Sequence, residues 1–215
     1  MAPWAAAING GRSVGGAQPR VTIGLPVFDG ERYLPETLDS LLGQTFGDFE
    51  LIICDNASRD KTEAICRRYA GSDPRVRYTR YPSNVGAARN FNRTVEGARG
   101  RYFKWAAHDD LIHPDYLAEC VDVLDDHPDV VWCQTRVGFI GPDGEELASG
   151  MGDAGAGMSY VEDPSGGALR DRLVTRVSAW PHERLRAVLL ETVGGGNWDV
   201  FGLSRTAVLK ETGLQ

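Results

Sequence analysis

Apolar and polar positions along the chain follow two alternating periods. Short, largely apolar runs with the composition of buried strands lie at about residues 21–28, 49–54, 76–81 and 101–107. Each run is followed by a segment in which apolar residues recur every three or four positions, as on one face of a helix. These helices are expected around residues 34–42, 64–69, 87–96 and 114–126. Strand and helix therefore alternate four times, which predicts parallel βαβ units with right-handed crossovers.

The second half of the chain has a less regular pattern. The apolar run 130–140 predicts a further strand, and Pro142-Asp-Gly predicts a turn that begins a hairpin. Residues 149–167 are rich in glycine and predict a long loop, followed by a helix over 181–191. A last strand is expected from Asn197 and a short helix through Val208. We expect a flexible tail over 1–19 and one domain over 20–215.

The first, second and fourth strands end in segments that carry polar residues. These segments are Pro26–Asp29, Asp55–Asn56 and the pair Asp109–Asp110. Because the carboxyl ends of parallel strands share one edge of the sheet, these residues are expected to meet in one crevice. Two carboxylates there are costly unless a cation compensates them, and a hard divalent ion carrying phosphate oxygens would do so. Alternatively, Asp109 or Asp110 simply caps the helix that follows.

The composition of the chain argues against several classes of protein. A net charge of −7 argues against a nucleic-acid-binding protein, and no apolar run approaches the length of a membrane span. The N-terminus makes a poor signal peptide. Four cysteines without Cys-x-x-Cys spacing indicate free thiols, buried in the apolar runs at Cys54 and Cys133. The default expectation is a cytoplasmic protein.

Five segments in a fixed order resemble the family 2 glycosyltransferases, which are inverting enzymes of the GT-A fold. The matching segments are Leu25-Pro-Val-Phe-Asp-Gly-Glu-Arg-Tyr-Leu, Leu41-Leu-Gly-Gln-Thr-Phe, Phe49-Glu-Leu-Ile-Ile-Cys-Asp-Asn-Ala-Ser, Asn84-Val-Gly-Ala-Ala-Arg-Asn and Trp105-Ala-Ala-His-Asp-Asp. The resemblance implies an α/β domain with a mostly parallel central sheet and helices on both faces. It also implies a hexosyltransferase-type activity on a nucleotide-diphospho-sugar (UDP-, dTDP- or GDP-sugar).

The resemblance assigns roles to individual residues. A divalent metal, Mn²⁺ or Mg²⁺, would bind at Asp110. The nucleotide-sugar would contact Pro26, Phe28, Glu31, Asp55, Asn56, Asn84, Gly86, Arg89, His108 and Asp109. Asn56 stands where the family has a second acid. Independently of the resemblance, a glycine-containing loop that enters a helix N-terminus favours an anion, and an arginine there adds a charge-assisted bond.

The implied reaction is attack of an acceptor hydroxyl on the anomeric carbon, in polysaccharide, cell-wall or glycolipid synthesis. A carboxylate base should take the acceptor proton, and in relatives it lies beyond the strand and helix represented here by 197–210. The C-terminal part of the domain is therefore expected to be missing, with Asp199 and Glu183 as weak candidates for the base. An alternative is a homologue that binds donor but transfers sugar poorly.

Two further alternatives remain open. The glycines from Gly10 to Gly16 could form the phosphate loop of a nucleotidyltransferase, although they precede the first strand. A zinc site could be built from His108, Asp110 and His113. A lipid acceptor would imply peripheral attachment at the inner face of the membrane, whereas the sequence is silent on oligomeric state.

Overall fold

A computed structural model of the chain describes residues 18–135, 139–140, 146–147 and 201–212. Its strands are β1 (Val21–Val27), β2 (Phe49–Asp55), β3 (Val76–Arg80), β4 (Tyr102–Trp105), β5 (Trp132–Cys133), β6 (Phe139–Ile140), β7 (Glu146–Leu147) and β8 (Leu203–Arg205). Its helices are α1 (Leu34–Leu42), α2 (Thr62–Ser72), α3 (Ala87–Glu96), α4 (Tyr116–Asp126) and α5 (Thr206–Glu211). The four predicted strand–helix alternations are thus confirmed.

The central sheet has six strands in the order β3-β2-β1-β4-β8-β5. Strands β1 to β4 run parallel, whereas β8 lies antiparallel between β4 and β5. The mostly parallel sheet is therefore confirmed, with one reversed strand that the sequence pattern did not predict. Since β2, β1 and β4 are neighbours, their carboxyl ends lie side by side at one edge.

Helices cover both faces of this sheet, as predicted. Alternate side chains of β4 show the division, since Tyr102 packs with the residues of α1 and α4 and Phe103 packs with those of α3 and α5. The first face buries leucine and isoleucine side chains with no measurable exposure, among them Ile23, Leu38 and Leu117. Burying a side chain of this size contributes about 1.5–3 kcal/mol relative to leaving it in water. These two layers hold the strand ends in fixed positions.

The opposite edge of the sheet carries a buried ion cluster. Glu50 is 3% exposed and accepts hydrogen bonds from Arg77 Nη1 at 2.8 Å, Arg99 Nη2 at 2.6 Å and Thr22 Oγ1 at 2.8 Å. Burial alone would raise the pKa of Glu50, but these hydrogen bonds outweigh it and the pKa is lowered. The cluster links β1, β2 and β3 to the turn before β4, so it stabilises the sheet away from the candidate site.

Two expectations from the sequence are wrong. Helix α4 begins at Tyr116 with no side-chain cap, so neither Asp109 nor Asp110 caps it. The run 130–140 is not one strand, because β5 ends at Cys133 where its pairing with the three-residue β8 ends.

The predicted hairpin is confirmed as the antiparallel pair β6–β7. The expectations for 1–17, 149–167, 181–191 and 197–200 fall outside the described residues.

Candidate functional site

Three strand ends meet at the carboxyl edge of the sheet. The backbone amide of Asn56, just after β2, donates to Val27 O at the end of β1, at 2.9 Å. The loop after β4 lies against the loop after β1. A Cβ added at Gly30 would lie only 2.7 Å from the ring of His108, which follows β4. Glycine at position 30 thus permits the close approach of the loops that follow β1 and β4. The predicted convergence is confirmed for these residues.

The end of β1 offers an apolar surface. Phe28 is 36% exposed, while Pro26 is buried within the strand. Asp29 follows with a φ of +51°, and its backbone amide donates to Ser58 Oγ at 3.0 Å. Glu31 is exposed, and its Oε2 accepts from the amide of Lys61 at 2.9 Å. The loop after β1 is therefore fixed to the loop before α2, which leaves the Phe28 ring facing solvent.

The two residues at the positions of the family's acidic pair have side chains that are hydrogen-bonded within the protein. Asp55 has no measurable exposure, and its carboxylate accepts from Ser58 N and from Tyr78 Oη, both at 2.8 Å. Burial and that second hydrogen bond raise the pKa of Tyr78. Asn56 is 3% exposed, and its side chain is hydrogen-bonded to the loop over residues 84–86. Direct contact of either side chain with a nucleotide stays a prediction.

The loop before α3 presents backbone groups and a cation. Gly86 occupies the position just before the helix with a φ of +88°, where a side chain would be strained. No acidic residue lies in the first turn of α3 and no side chain caps it. Arg89 is exposed in that turn. A helix start with free amides and a nearby guanidinium favours an anionic ligand.

The paired acids lie after β4, with Asp109 exposed and Asp110 half-buried. Burial raises the pKa of Asp110, and the neighbouring charge of Asp109 raises it further. Such a pair gains from a bound cation. Within the part of the chain that the structure describes, no group of three His, Cys, Asp or Glu residues could hold a metal ion. This donor set fits Mg²⁺ or Mn²⁺, which take few carboxylates and complete their coordination with phosphate and water, better than zinc.

The sequence of the chain is similar to those of known glycosyltransferases. The family model described as "Glycosyl transferase family 2" matches residues 22–209. The chain belongs to this family. An uncharacterized glycosyltransferase of Rickettsia typhi is 35% identical over 115 residues, which are 53% of this chain and 35% of the relative. The chondroitin synthase of Pasteurella multocida is 32% identical over 132 residues, which are 61% of this chain and 14% of the relative. The matched region is thus about a third of the first relative and less of the second.

Solved structures of glycosyltransferases share the architecture, which is the GT-A fold. Residues 1–349 of S. aureus TarS in complex with UDP-GlcNAc match with a TM-score of 0.61 and 20% identity, over 90% of this chain and 47% of that one. The mannosyltransferase of Pyrobaculum calidifontis, in complex with GDP-Man and Mn²⁺, matches with a TM-score of 0.50 and 28% identity. That match covers 56% of this chain and 36% of the neighbour.

One charged residue near the acids of this family 2 domain was not anticipated. Lys104 in β4 is 2% exposed, and its Nζ donates to Trp105 O at 2.8 Å and to Phe201 O at 2.9 Å. It also lies 4.8 Å from the ring centroid of Tyr116. Burial lowers the pKa of Lys104 to about 8, and the charge of Asp110 partly opposes that shift. The only signal in the sequence is a lysine inside an apolar strand that leads to two acids.

The weak candidates for the base, Asp199 and Glu183, lie outside the described residues, as do Gly10–Gly16. His113 is exposed, and its Nδ1 lies 3.8 Å from Asp115 Oδ2. The described part of the chain contains no helix long and apolar enough to cross a bilayer.

Proposed function

We propose that this domain transfers a sugar, with inversion, from a nucleotide-diphospho-sugar to an acceptor hydroxyl. The observation that carries the proposal is the meeting of three strand ends at one edge of a family 2 domain. There an exposed aromatic ring (Phe28), a helix start with Arg89, and the pair Asp109–Asp110 lie on loops that contact one another. The UDP-GlcNAc and GDP-Man–Mn²⁺ complexes named for the structural neighbours support a donor of this class.

The chain's own residues would divide the donor between them. Phe28 offers an exposed ring against which a nucleobase can stack, and Pro26 shapes the strand end beneath it. Glu31 and Asp109 would accept hydrogen bonds from ribose or sugar hydroxyls. The free amides at the start of α3, which follows Asn84 and Gly86, would bind the diphosphate, and Arg89 would add a charge-assisted contact. His108, packed on Gly30, would orient the same phosphates.

The charge of the diphosphate sets the requirement for a cation. Asp110 would hold a divalent ion, with Asp109 beside it, and this ion supplies charge stabilisation to the departing diphosphate as a Lewis acid. In the reaction, the acceptor oxygen forms a bond to the anomeric carbon while the bond from that carbon to the diphosphate oxygen breaks. The acceptor proton passes to a carboxylate base, for which Asp199 and Glu183 are the candidates in this chain.

The proposal is tested by nucleotide binding. UDP and GDP are titrated calorimetrically into the protein with Mn²⁺ and with EDTA, using wild type, Asp110→Asn and the control Asp48→Asn. Asp48 is exposed beside the start of β2, at the opposite edge of the sheet. We expect Mn²⁺ to tighten binding at least about tenfold, which is about 1.4 kcal/mol, in wild type and in the control but not in Asp110→Asn. Equal affinity with Mn²⁺ and EDTA in the wild type would contradict the metal-dependent mechanism.

Transfer itself distinguishes an enzyme from a domain that only binds donor. Release of nucleoside diphosphate in the presence of sugar acceptors is measured for wild type, Asp199→Asn and Glu183→Gln. Loss of turnover with donor affinity retained would identify the base. Donor binding without turnover in the wild type would favour the second candidate, a domain that needs further chain for catalysis. The Rickettsia typhi relative is about three times as long as the region that it shares with this chain, which supports this second candidate.

The biological setting is proposed on the same terms. A glycosyltransferase of this family would act in the cytoplasm, where nucleotide-sugars are available, on a saccharide or glycolipid acceptor of polysaccharide or cell-wall synthesis. The chondroitin synthase among its relatives supports a polysaccharide product. A glycolipid acceptor would bring the protein to the inner face of the membrane, which sedimentation with acceptor-containing liposomes would detect.

A further inference from the structure

The side chain of Asn56 is committed to a single loop. Its Nδ2 donates to Asn84 Oδ1 at 3.0 Å and to Gly86 O at 3.3 Å, and its Oδ1 accepts from Val85 N at 3.0 Å. Asn84 Oδ1 also accepts from Gly86 N at 2.9 Å. One amide therefore holds three consecutive residues, and both of its donor hydrogens are used.

The orientation of the Asn56 amide is determined by its partners. Val85 N can only donate and Gly86 O can only accept, so oxygen must face residue 85 and nitrogen must face residue 86. An aspartate of the same shape at position 56 could keep the bond from Val85. It would present an unprotonated oxygen to Gly86 O and to Asn84 Oδ1, so two donated hydrogen bonds would be replaced by repulsion. The loop needs an amide here and not an acid.

The held loop leads directly into the candidate diphosphate site. Gly86 lies at the start of α3 with a φ of +88° and a ψ of 160°, and Asn90 N, in the helix, donates to Gly86 O at 3.3 Å. Arg89 lies between them in the first turn. The conformation of residues 84–86 thus fixes the direction in which the helix start and Arg89 point.

We infer that Asn56 is a positioning residue, which sets the loop of residues 84–86 in the form that receives the donor diphosphate. Its role differs from base recognition, since its side chain is 3% exposed and is hydrogen-bonded to the loop through both its nitrogen and its oxygen. The inference rests on the proposed function for the identity of the ligand. The holding of the loop by Asn56 does not depend on it.

The test compares Asn56→Asp and Asn84→Ala with the control Asn92→Asp. Asn92 is half-buried on α3, so the control adds the same negative charge to the helix without altering the loop contacts. The first measurement is amide exchange at Gly86 by NMR in nucleotide-free protein. We expect about tenfold faster exchange in both loop variants, the effect of losing one hydrogen bond, and no change in the control. Asn84→Ala keeps the measurement available if Asn56→Asp does not fold.

The second measurement is the dissociation constant of UDP or GDP with Mn²⁺. Asn56→Asp is expected to bind about tenfold or more weakly at pH 7.5, and the ratio to wild type should shrink towards pH 5 as the new carboxyl gains a proton that it can donate. The control should keep a constant ratio. Unchanged exchange at Gly86 would overturn the holding of the loop, and faster exchange with unchanged affinity would overturn the positioning role. A wild type that binds no nucleotide would instead refute the proposed function, while the exchange data would still decide whether Asn56 holds the loop.

Discussion

Replacing Lys104 with methionine should make the stability of the domain less dependent on alkaline pH. Lys104 is 2% exposed, and its ammonium group contacts two backbone carbonyls and the Tyr116 ring, whereas no carboxylate of the described residues lies within hydrogen-bonding distance. Burial lowers its pKa from 10.5 to about 8. The folded state therefore releases this proton at a lower pH than the unfolded state does.

The sign and size of the effect follow from linkage. Between pH 8 and 10.5 the unfolded chain binds a proton at Lys104 that the folded protein does not, so this group makes the free energy of unfolding rise with pH. Between pH 7 and pH 10 the rise is about 2–3 kcal/mol, at 1.36 kcal/mol per unit of pKa difference. Lys104→Met lacks this term. Relative to wild type, the variant should therefore be more favoured at pH 7 than at pH 10 by that amount.

The measurement is urea denaturation of metal-free protein at pH 7 and pH 10, followed by tryptophan fluorescence. Other groups titrate equally in both proteins, so they cancel from the difference between variant and wild type. Lys61→Met removes an exposed lysine and serves as the control, with an expected change below about 0.5 kcal/mol at either pH. If Lys104→Met differs from wild type by the same free energy at both pH values, the argument from burial of the charge is refuted.

Two other substitutions test the ion cluster and the anion site. Glu50→Gln should lower the free energy of unfolding by about 2–4 kcal/mol at pH 7, because it weakens charge-assisted bonds from two arginines in a buried setting. Since the pKa of Glu50 is lowered, that deficit should begin to shrink as pH falls below 4.5 and be lost only as pH falls through the lowered pKa of the folded state, so urea denaturation should show a smaller deficit at pH 4 than at pH 7; a deficit of equal size at both pH values would contradict it. Arg89→Met should weaken binding of UDP with Mn²⁺ about tenfold, as calorimetry would measure, whereas Arg68→Met, which removes an exposed arginine from α2, should not; equal affinities would rule out a diphosphate contact by Arg89.

The parts of the fold that the sequence predicted well are those determined by nearby residues. Helix α3 was predicted at Ala87–Glu96 and has those bounds, because Gly86 before it and Gly97 after it break the pattern locally. Strands β1 and β2 are largely apolar, and every residue of each is buried. The bounds of such elements depend on residues within or next to them, so the periodicity of the sequence was sufficient to predict them.

The features that were missed depend on residues far along the chain. The burial of Lys104 depends on Phe201 O, which lies 97 positions away. Tyr78 of β3 occupies the carboxylate of Asp55 from 23 positions away, so the resemblance alone could not indicate that this acid is closed to solvent. The run 130–140 looked like one strand, yet its length was limited by the short partner β8. Local pattern carries no information on such partners.

The position of β8 has a consequence for how this domain can vary. Cys133 on β5 pairs with Leu203 on β8, so the chain leaves the sheet and returns to it at adjacent points, with residues 134–202 in between. The entropy of closing such an excursion grows only logarithmically, and doubling its length costs about 0.6 kcal/mol. Insertions, exchanges or recombination within the excursion would therefore leave the strand ends that form the candidate site almost undisturbed.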